Sequence, residues 1–86
     1  MPNIKQQKKR VRVAARQRLE NLRYRSTVKT LTRRLRTAVE EGDADRVQTA
    51  HLELQRWIDR AASRGALHEN AAARKKAQAA RIVSGS

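Results

Sequence analysis

The chain of 86 residues lacks cysteine and phenylalanine, and it has one tryptophan, one tyrosine, one proline and three glycines. Without cysteine, disulfide bonds, thiolate metal sites and cysteine nucleophiles are excluded, which fits a reducing compartment. Few helix-breaking residues and no strand-like alternation predict an all-α fold. The hydrophobic 38% is mostly Leu, Val and Ala, which suits thin helix-on-helix packing in one small domain, residues 1–86.

Targeting and catalytic motifs are also missing. No apolar run approaches the ~18 residues that span a bilayer, and the basic N-terminus lacks the apolar region of a secretory signal. A mitochondrial transit peptide is typically Ser-rich, and no serine precedes Ser26, so we expect the cytoplasm. No Gly-rich phosphate loop, HExxH pair or serine elbow occurs. We therefore expect no enzyme, no catalytic or metal-binding residues, no cofactor and no small-molecule substrate.

Acidic residues are scarce in the first part of the chain. From Asn3 to Arg36 only Glu20 is acidic, against thirteen cations, so this segment carries +12 of the formal +13. Such a one-sided distribution predicts an extended polyanion as the partner, because solubility alone does not require one sign of charge. The cations are Lys5, Lys8, Lys9, Arg10, Arg12, Arg16, Arg18, Arg23, Arg25, Lys29, Arg33, Arg34 and Arg36.

The same segment predicts a long helix with two different halves. From Tyr24 onward, apolar residues recur at the spacing of a helix that faces a core, with cations on the outward side. The stripe comprises Tyr24, Val28, Leu31, Leu35, Ala38 and Val39. Before Tyr24, we expect Val11, Val13, Leu19 and Leu22 to point in different directions. We therefore predict an arm, about residues 3–23, that projects from a bundle of about residues 24–83 and becomes ordered on its partner.

Helix boundaries follow from capping residues. Asn3 is a candidate N-cap for the first helix, which should end at Gly42, and Asp43 is the candidate N-cap for the second. The second helix should run to about Ser63 and end at Gly65. Its predicted core face comprises Val47, Ala50, Leu54, Trp57, Ile58 and Ala61. Four acids lie around the turn between the first and second helices: Glu40, Glu41, Asp43 and Asp45. Their spacing is not that of a calcium-binding loop.

A third helix is predicted from about Ala71 to Val83, with His68 or Asn70 as its cap and Leu67 closing the end of the bundle. Its expected buried side consists of Ala72, Ala73, Ala77, Ala80 and Val83. Lys76 lies near the middle of that side, which weakens the assignment. With Arg74, Lys75 and Arg81, Lys76 also forms a second basic patch. Trp57 could stack on a base, but we favour a core anchor, and we expect His51 to be packed or half-exposed.

Several of these local patterns occur together in a known family. Asn3-Ile4-Lys5 and Lys8-Lys9-Arg10 open the chain, and Glu40-Glu41-Gly42-Asp43 forms the first turn. Arg64-Gly65-Ala66-Leu67-His68-Glu69-Asn70, followed by Ala72-Ala73-Arg74-Lys75, is the most specific part. In order and spacing, over essentially its whole length, the chain resembles the bacterial small-subunit ribosomal protein S-twenty family.

The resemblance implies a three-helix bundle with a long basic first helix projecting from it. It also implies a structural constituent of the small ribosomal subunit that binds small-subunit ribosomal RNA directly and stabilises its folding and assembly. Neighbouring ribosomal proteins are open as further partners. By position, the family's basic N-terminal run corresponds to Lys5, Lys8, Lys9, Arg10 and Arg12. Its third-helix start corresponds to His68, Asn70, Arg74 and Lys75, while Ala79 replaces a larger aliphatic residue found in many members.

Charge and composition narrow the mode of binding. With 2% aromatic residues, a base-stacking platform for single strands is not expected, so we predict contacts to the RNA backbone, its shape and its 2′-hydroxyls. The predicted RNA-binding residues are Lys5, Lys8, Lys9, Arg10, Arg12, Arg16, Arg18, Arg23, Arg25, Lys29, Arg33, His68, Asn70, Arg74 and Lys75. A DNA-binding or nucleoid-type protein is the leading alternative. A helix on a membrane surface is the third, but the arm lacks the Trp/Phe/Leu face that it requires.

Overall fold

The computed structural model describes the backbone of residues 4–85 and the side chains of residues 9–85. It contains three helices, α1 (Ile4–Glu41), α2 (Ala44–Ser63) and α3 (Glu69–Ser84), and no strand in the described range. The predicted all-α class is confirmed. The predicted cap Asn3 and the predicted RNA-binding side chains of Lys5 and Lys8 lie outside the described residues.

Both turns are made by glycines in the left-handed conformation, which residues with a Cβ rarely adopt. Gly42 has a φ of 70° and Gly65 a φ of 78°. At the second turn, the Gly65 amide donates to the Ala62 carbonyl (3.1 Å) and the Ala66 amide donates to the Ala61 carbonyl (2.8 Å). At the first turn, the Gly42 amide donates to the Val39 carbonyl (3.1 Å) and the Asp43 amide donates to the Ala38 carbonyl (3.4 Å). These are Schellman motifs, which use otherwise unpaired carbonyls at a helix end and reverse the chain within a few residues.

Side chains cap the starts of the two shorter helices. Asp43 accepts a hydrogen bond from the Arg46 amide at 3.2 Å, and His68 Nδ1 accepts one from the Asn70 amide at 3.1 Å. Each satisfies an amide that has no partner within its own helix. Asp43 is thus the cap that the sequence predicts, and of the two candidates for α3 the cap is His68.

The core lies between the second half of α1 and the length of α2. Since Gly42 reverses the chain, α2 packs antiparallel along α1. The buried residues are Val28, Leu31, Leu35 and Ala38 from α1, and Leu54, Ile58 and Ala61 from α2. All seven belong to the two predicted faces, and Tyr24, Val47, Ala50 and Trp57 pack partly buried at their margins. Periodicity therefore identified this interface correctly.

The predicted buried side of α3 was wrong at three of its five residues. Ala72 and Ala79 are buried, Ile82 and Val83 pack against the core, and Ala73, Ala77 and Ala80 are exposed. The observed stripe includes Ile82, the larger aliphatic side chain of the helix, partly buried against the core, whereas the predicted side left Ile82 out and relied on four alanines and Val83. Lys76 lies half-buried at the edge of the real stripe, where its ammonium group pairs with Asp59 of α2.

The first half of α1 extends beyond the packed helices. Every residue from Lys9 to Glu20 is exposed, and the molecule measures 61 × 20 × 13 Å along its principal axes. The long dimension matches a continuous α1, because 38 residues rise ~57 Å at 1.5 Å each. In the described part of the chain, none of the helices has the length and apolarity needed to cross a membrane.

Candidate nucleic-acid interface

The α1 cations whose side chains the structure describes are solvent-exposed. Every Lys and Arg of α1 from Lys9 to Arg36 is exposed, and within residues 9–85 none of them forms an ion pair with an acidic side chain. The ion pairs in this range involve Arg46, with Glu41 and Asp43, and Lys76, with Asp59. The positive charge of α1 is therefore not neutralised by the acids of the bundle.

Helical rotation sorts most of these cations into two rows. At about 100° per residue, the first basic row lies on the side of α1 next to α2. It consists of Lys9, Arg16, Arg23 and Arg34. Two of its members line grooves shared with α2: Arg23 with Trp57 and Arg64, and Arg34 with Arg46. The row thus runs ~37 Å, from the projecting arm onto the bundle.

The second basic row lies on the opposite flank of α1, about 160° away across the outward face. It consists of Arg18, Arg25, Lys29 and Arg36. Arg25 Nε donates to the Ala66 carbonyl at 3.0 Å, a contact across 41 positions of sequence. This bond places the α2–α3 turn beside the second row. Sequence reasoning missed this structural role of Arg25, because nothing local to either residue signals the contact.

The predicted RNA-binding residues of the third helix follow the α2–α3 turn, which Arg25 of the second row contacts. His68 follows Ala66 by two positions, so the bond from Arg25 brings His68 and Asn70 close to α1. His68 and Asn70 are exposed, although His68 also serves as the cap of α3. Arg74 is exposed and Lys75 half-buried. Lys76 points toward α2, where it pairs with Asp59. Since successive residues of a helix point about 100° apart, Lys75 points to one side of α2 and Arg74 points away from it.

Three predicted residues of α1 with described side chains belong to neither row. Arg12 and Arg33 lie on the outward face of α1, between the rows. Arg10 lies on the side of the arm that continues the core stripe of α1, where it lines a shallow groove with Val13 and Gln17. The arm therefore presents cations in nearly every direction, whereas in the bundle half they are restricted to the part of α1 not covered by α2 and α3.

The outward face of the arm differs from the expectation that its apolar residues scatter. Val11, Leu19 and Leu22 lie within about 80° of one another around α1, and their exposed fractions are 68%, 50% and 59%. With exposed Ala15 they form one aliphatic stripe. Val13, 53% exposed, points to the other side. The expectation was wrong for three of the four residues, because an uninterrupted helix brings positions spaced by eight and eleven residues onto the same face.

The single Tyr and the single Trp of the chain meet at the surface of the bundle. The ring centroids of Tyr24 and Trp57 are 5.7 Å apart with the planes tilted by 54°, and the Arg60 guanidinium lies 5.5 Å from the Trp57 centroid. Both aromatic rings pack partly buried against the core, as favoured for Trp57. His51 is half-buried and contacts Gln55 at 3.3 Å.

Three acidic side chains, Glu41, Asp43 and Asp59, take structural roles. Asp43 caps α2, and Glu41 forms an ion pair with Arg46. In the described part of the chain, no group of three or more potential ligands is placed to hold a metal ion. What the surface offers chemically is a long array of guanidinium and ammonium donors.

Comparison with known proteins gives a consistent result. The sequence model of the family described as ribosomal protein S20, the S-twenty family named above, matches residues 2–84. The small ribosomal subunit protein bS20 of Shouchella clausii is 36% identical over 85 residues, covering 99% of this chain and 97% of its own. Those of Kocuria rhizophila and Streptomyces griseus are 43% and 42% identical over 83 residues. They cover 96% of this chain and 96% and 94% of their own.

Proposed function

Because the chain belongs to the ribosomal protein S20 family, we propose that it binds small-subunit ribosomal RNA directly and stabilises its folding and assembly. A member of this family is a structural ribosomal protein and not an enzyme. Its place is the small ribosomal subunit in the cytoplasm, where it serves translation. The open question is how the chain engages its neighbours there, and the distribution of charge supports an answer.

The observation that carries the proposal is the pair of basic rows on opposite flanks of one helix. A single row would neutralise the phosphates of one RNA segment. Two rows about 160° apart suit a helix that lies between two segments and neutralises phosphates of both. Each contact releases condensed counterions, which supplies a favourable, salt-dependent free energy of binding. In this proposal the protein is a clamp that holds two neighbouring RNA segments together against their mutual repulsion.

The side-chain chemistry supports recognition of the backbone rather than the base sequence. Six of the eight residues in the two rows are arginine, and guanidinium groups form bidentate contacts with phosphate. Side chains cannot read the deep, narrow major groove of duplex RNA, so contacts should go to phosphates, riboses and the shallow groove. The aromatic pair Tyr24–Trp57 is packed against the core, which leaves the charge array as the main binding surface.

The projecting half of α1 should gain order on binding. Its residues from Lys9 to Glu20 bury no face against the bundle, and repulsion between neighbouring cations weakens an isolated helix. Phosphates placed along both flanks remove that repulsion. We therefore expect the helical content of the chain to rise when it binds RNA.

Competition binding at one fixed salt concentration tests the proposal. The full chain is offered small-subunit ribosomal RNA, duplex DNA of equal phosphate concentration, and vesicles of anionic phospholipid. We expect the ribosomal RNA to compete best, because a folded RNA presents several duplex segments within reach of both rows. Preference for DNA would favour the nucleoid alternative, and preference for vesicles would favour a membrane-surface helix. Either result would overturn the proposal.

A further inference from the structure

The aliphatic stripe on the arm (Val11, Ala15, Leu19 and Leu22) is not needed for phosphate binding and is not used by the core. Val11, Leu19 and Leu22 are at least half exposed, and in the described residues no part of the bundle covers them. Single exposed apolar residues are ordinary on protein surfaces. Three large ones aligned with an alanine over ~17 Å of helix form a continuous apolar surface that favours contact with a partner.

The neighbours of the stripe indicate what kind of partner it fits. Arg16 and Arg23 lie along one margin and Arg18 and Arg25 along the other, each within about 100° of the stripe centre. The partner surface should therefore be apolar along its middle and negatively charged along both edges. An acidic border on two sides, separated by about the 10–12 Å diameter of a helix, is the pattern of a nucleic-acid groove between two phosphate strands.

We propose that the stripe packs into the minor groove of an RNA duplex, with its apolar side chains against the riboses and its flanking arginines on the phosphates of the two strands. The minor groove of A-form RNA is wide and shallow and displays riboses with their 2′-hydroxyls, whereas its major groove is too deep and narrow to be read. The inference rests on the proposed binding to ribosomal RNA and specifies how the arm binds: along the arm, the two segments contacted by the basic rows are the two strands of one duplex.

This arrangement also explains why the arm carries aliphatic residues of modest size. Large aromatic side chains would suit stacking on unpaired bases, and a broad Trp/Phe/Leu face would suit a lipid surface. Val, Ala and Leu can lie flat against sugar C–H groups without unstacking the duplex. The stripe therefore contributes shape-dependent binding that adds to the electrostatic attraction of the two rows.

Two substitutions in the arm provide a matched test. Val11 lies in the stripe and Val13 points to the opposite side of the arm, yet their exposed fractions are similar at 68% and 53%. Val11→Thr and Val13→Thr each replace one valine methyl by a hydroxyl, at sites two residues apart. Valine and threonine have similar helix propensity, so neither change should disturb the helix. Binding of each full-length variant to an RNA duplex two turns long is measured at fixed salt. We expect Val11→Thr to weaken binding about threefold and Val13→Thr to leave it unchanged.

A stronger variant and a modified duplex complete the test. Leu19→Gln with Leu22→Gln should weaken binding about tenfold or more without changing its salt dependence, because no charge is lost. In a duplex with 2′-O-methyl riboses, the methyl groups occupy the minor groove and the phosphates stay in place. On that duplex the wild-type chain should bind no better than the double variant.

Three results would overturn the inference. The first is an equal effect of the two threonine substitutions, and the second is a methylated duplex on which the wild-type chain still binds better than the double variant. The third is tighter binding of the wild-type chain to anionic vesicles or duplex DNA than to the RNA duplex. Circular dichroism of each RNA complex verifies that helicity is retained. The inference and the broader proposal fail separately. If the wild-type chain does not bind ribosomal RNA, the proposed function fails. If it binds and the stripe variants behave like wild type, only the minor-groove placement fails.

Discussion

Replacing Lys9 and Arg16 by alanine should weaken binding to ribosomal RNA and flatten its salt dependence while leaving the fold intact. Both residues belong to the first basic row on the projecting arm, and both are exposed. Within the described side chains neither takes part in an ion pair or an interhelical hydrogen bond. The double substitution therefore removes charge without removing a packing contact.

The expected magnitude follows from counterion release. Each phosphate neutralised contributes about 0.9 to the slope of log affinity against log salt for a duplex, so losing two contacts should reduce the slope by about 1.8. Stability should change by no more than about 0.5 kcal/mol, as for exposed sites without special contacts. Alanine has the highest helix propensity, and removing two cations relieves repulsion along the helix. A small gain in stability is the more natural direction.

The assay is a filter-binding or fluorescence titration at four or five salt concentrations, with thermal unfolding followed by circular dichroism. Arg56→Ala with Arg81→Ala is the matched control, since it lowers the formal charge by the same two units at exposed positions of α2 and α3. It should change the slope much less. An equal change in both double variants would show that net charge alone governs binding. A loss of several kcal/mol in stability would show that the arm is part of the core.

Four further substitutions separate folding from binding. Leu54→Ala should lower the free energy of unfolding by about 2–5 kcal/mol, since Leu54 is 1% exposed. Urea denaturation measures this loss. Under conditions in which the variant is folded, its RNA affinity should be nearly unchanged. Gly65→Ala should lower the free energy of unfolding by about 1–2 kcal/mol in the same assay, because the φ of Gly65 is 78°. Since no atom lies within 4 Å of an added Cβ, the loss measures backbone strain and not a steric clash. Arg25→Ala should lower both stability, by about 1 kcal/mol, and RNA affinity, whereas Lys29→Ala should lower affinity alone. Equal stability of these last two variants would show that the bond to Ala66 contributes nothing.

Local sequence signals were sufficient wherever a few neighbouring residues decide the outcome. Gly42 and Gly65 end helices because the left-handed conformation excludes most other residues, and Asp43 caps α2 because its carboxylate is within reach of a free amide. The faces of α1 and α2 were predicted correctly because each carries large aliphatic residues at one helical spacing. Such signals depend on the chain within one or two turns.

The face of α3 could not be predicted from its own sequence. Alanine occupies positions all around this helix, so hydrophobic periodicity hardly distinguishes one side from another. The choice was made by partners elsewhere: Asp59 of α2 pairs with Lys76, and the core receives Ala72, Ala79 and Ile82. A lysine near the middle of the predicted face was the available warning, because an ammonium group is rarely buried without a partner.

By itself the sequence determined that the chain is helical, where its helices end, and that almost all of its net positive charge is carried by one helix. Those properties follow from propensity, capping and composition, which act locally. Only the tertiary structure decided which side of α3 is buried, that Arg25 bonds to Ala66 across 41 positions, and which sides of α1 remain open. The reason is physical: a contact between distant residues depends on how whole helices pack, and no local pattern encodes that geometry.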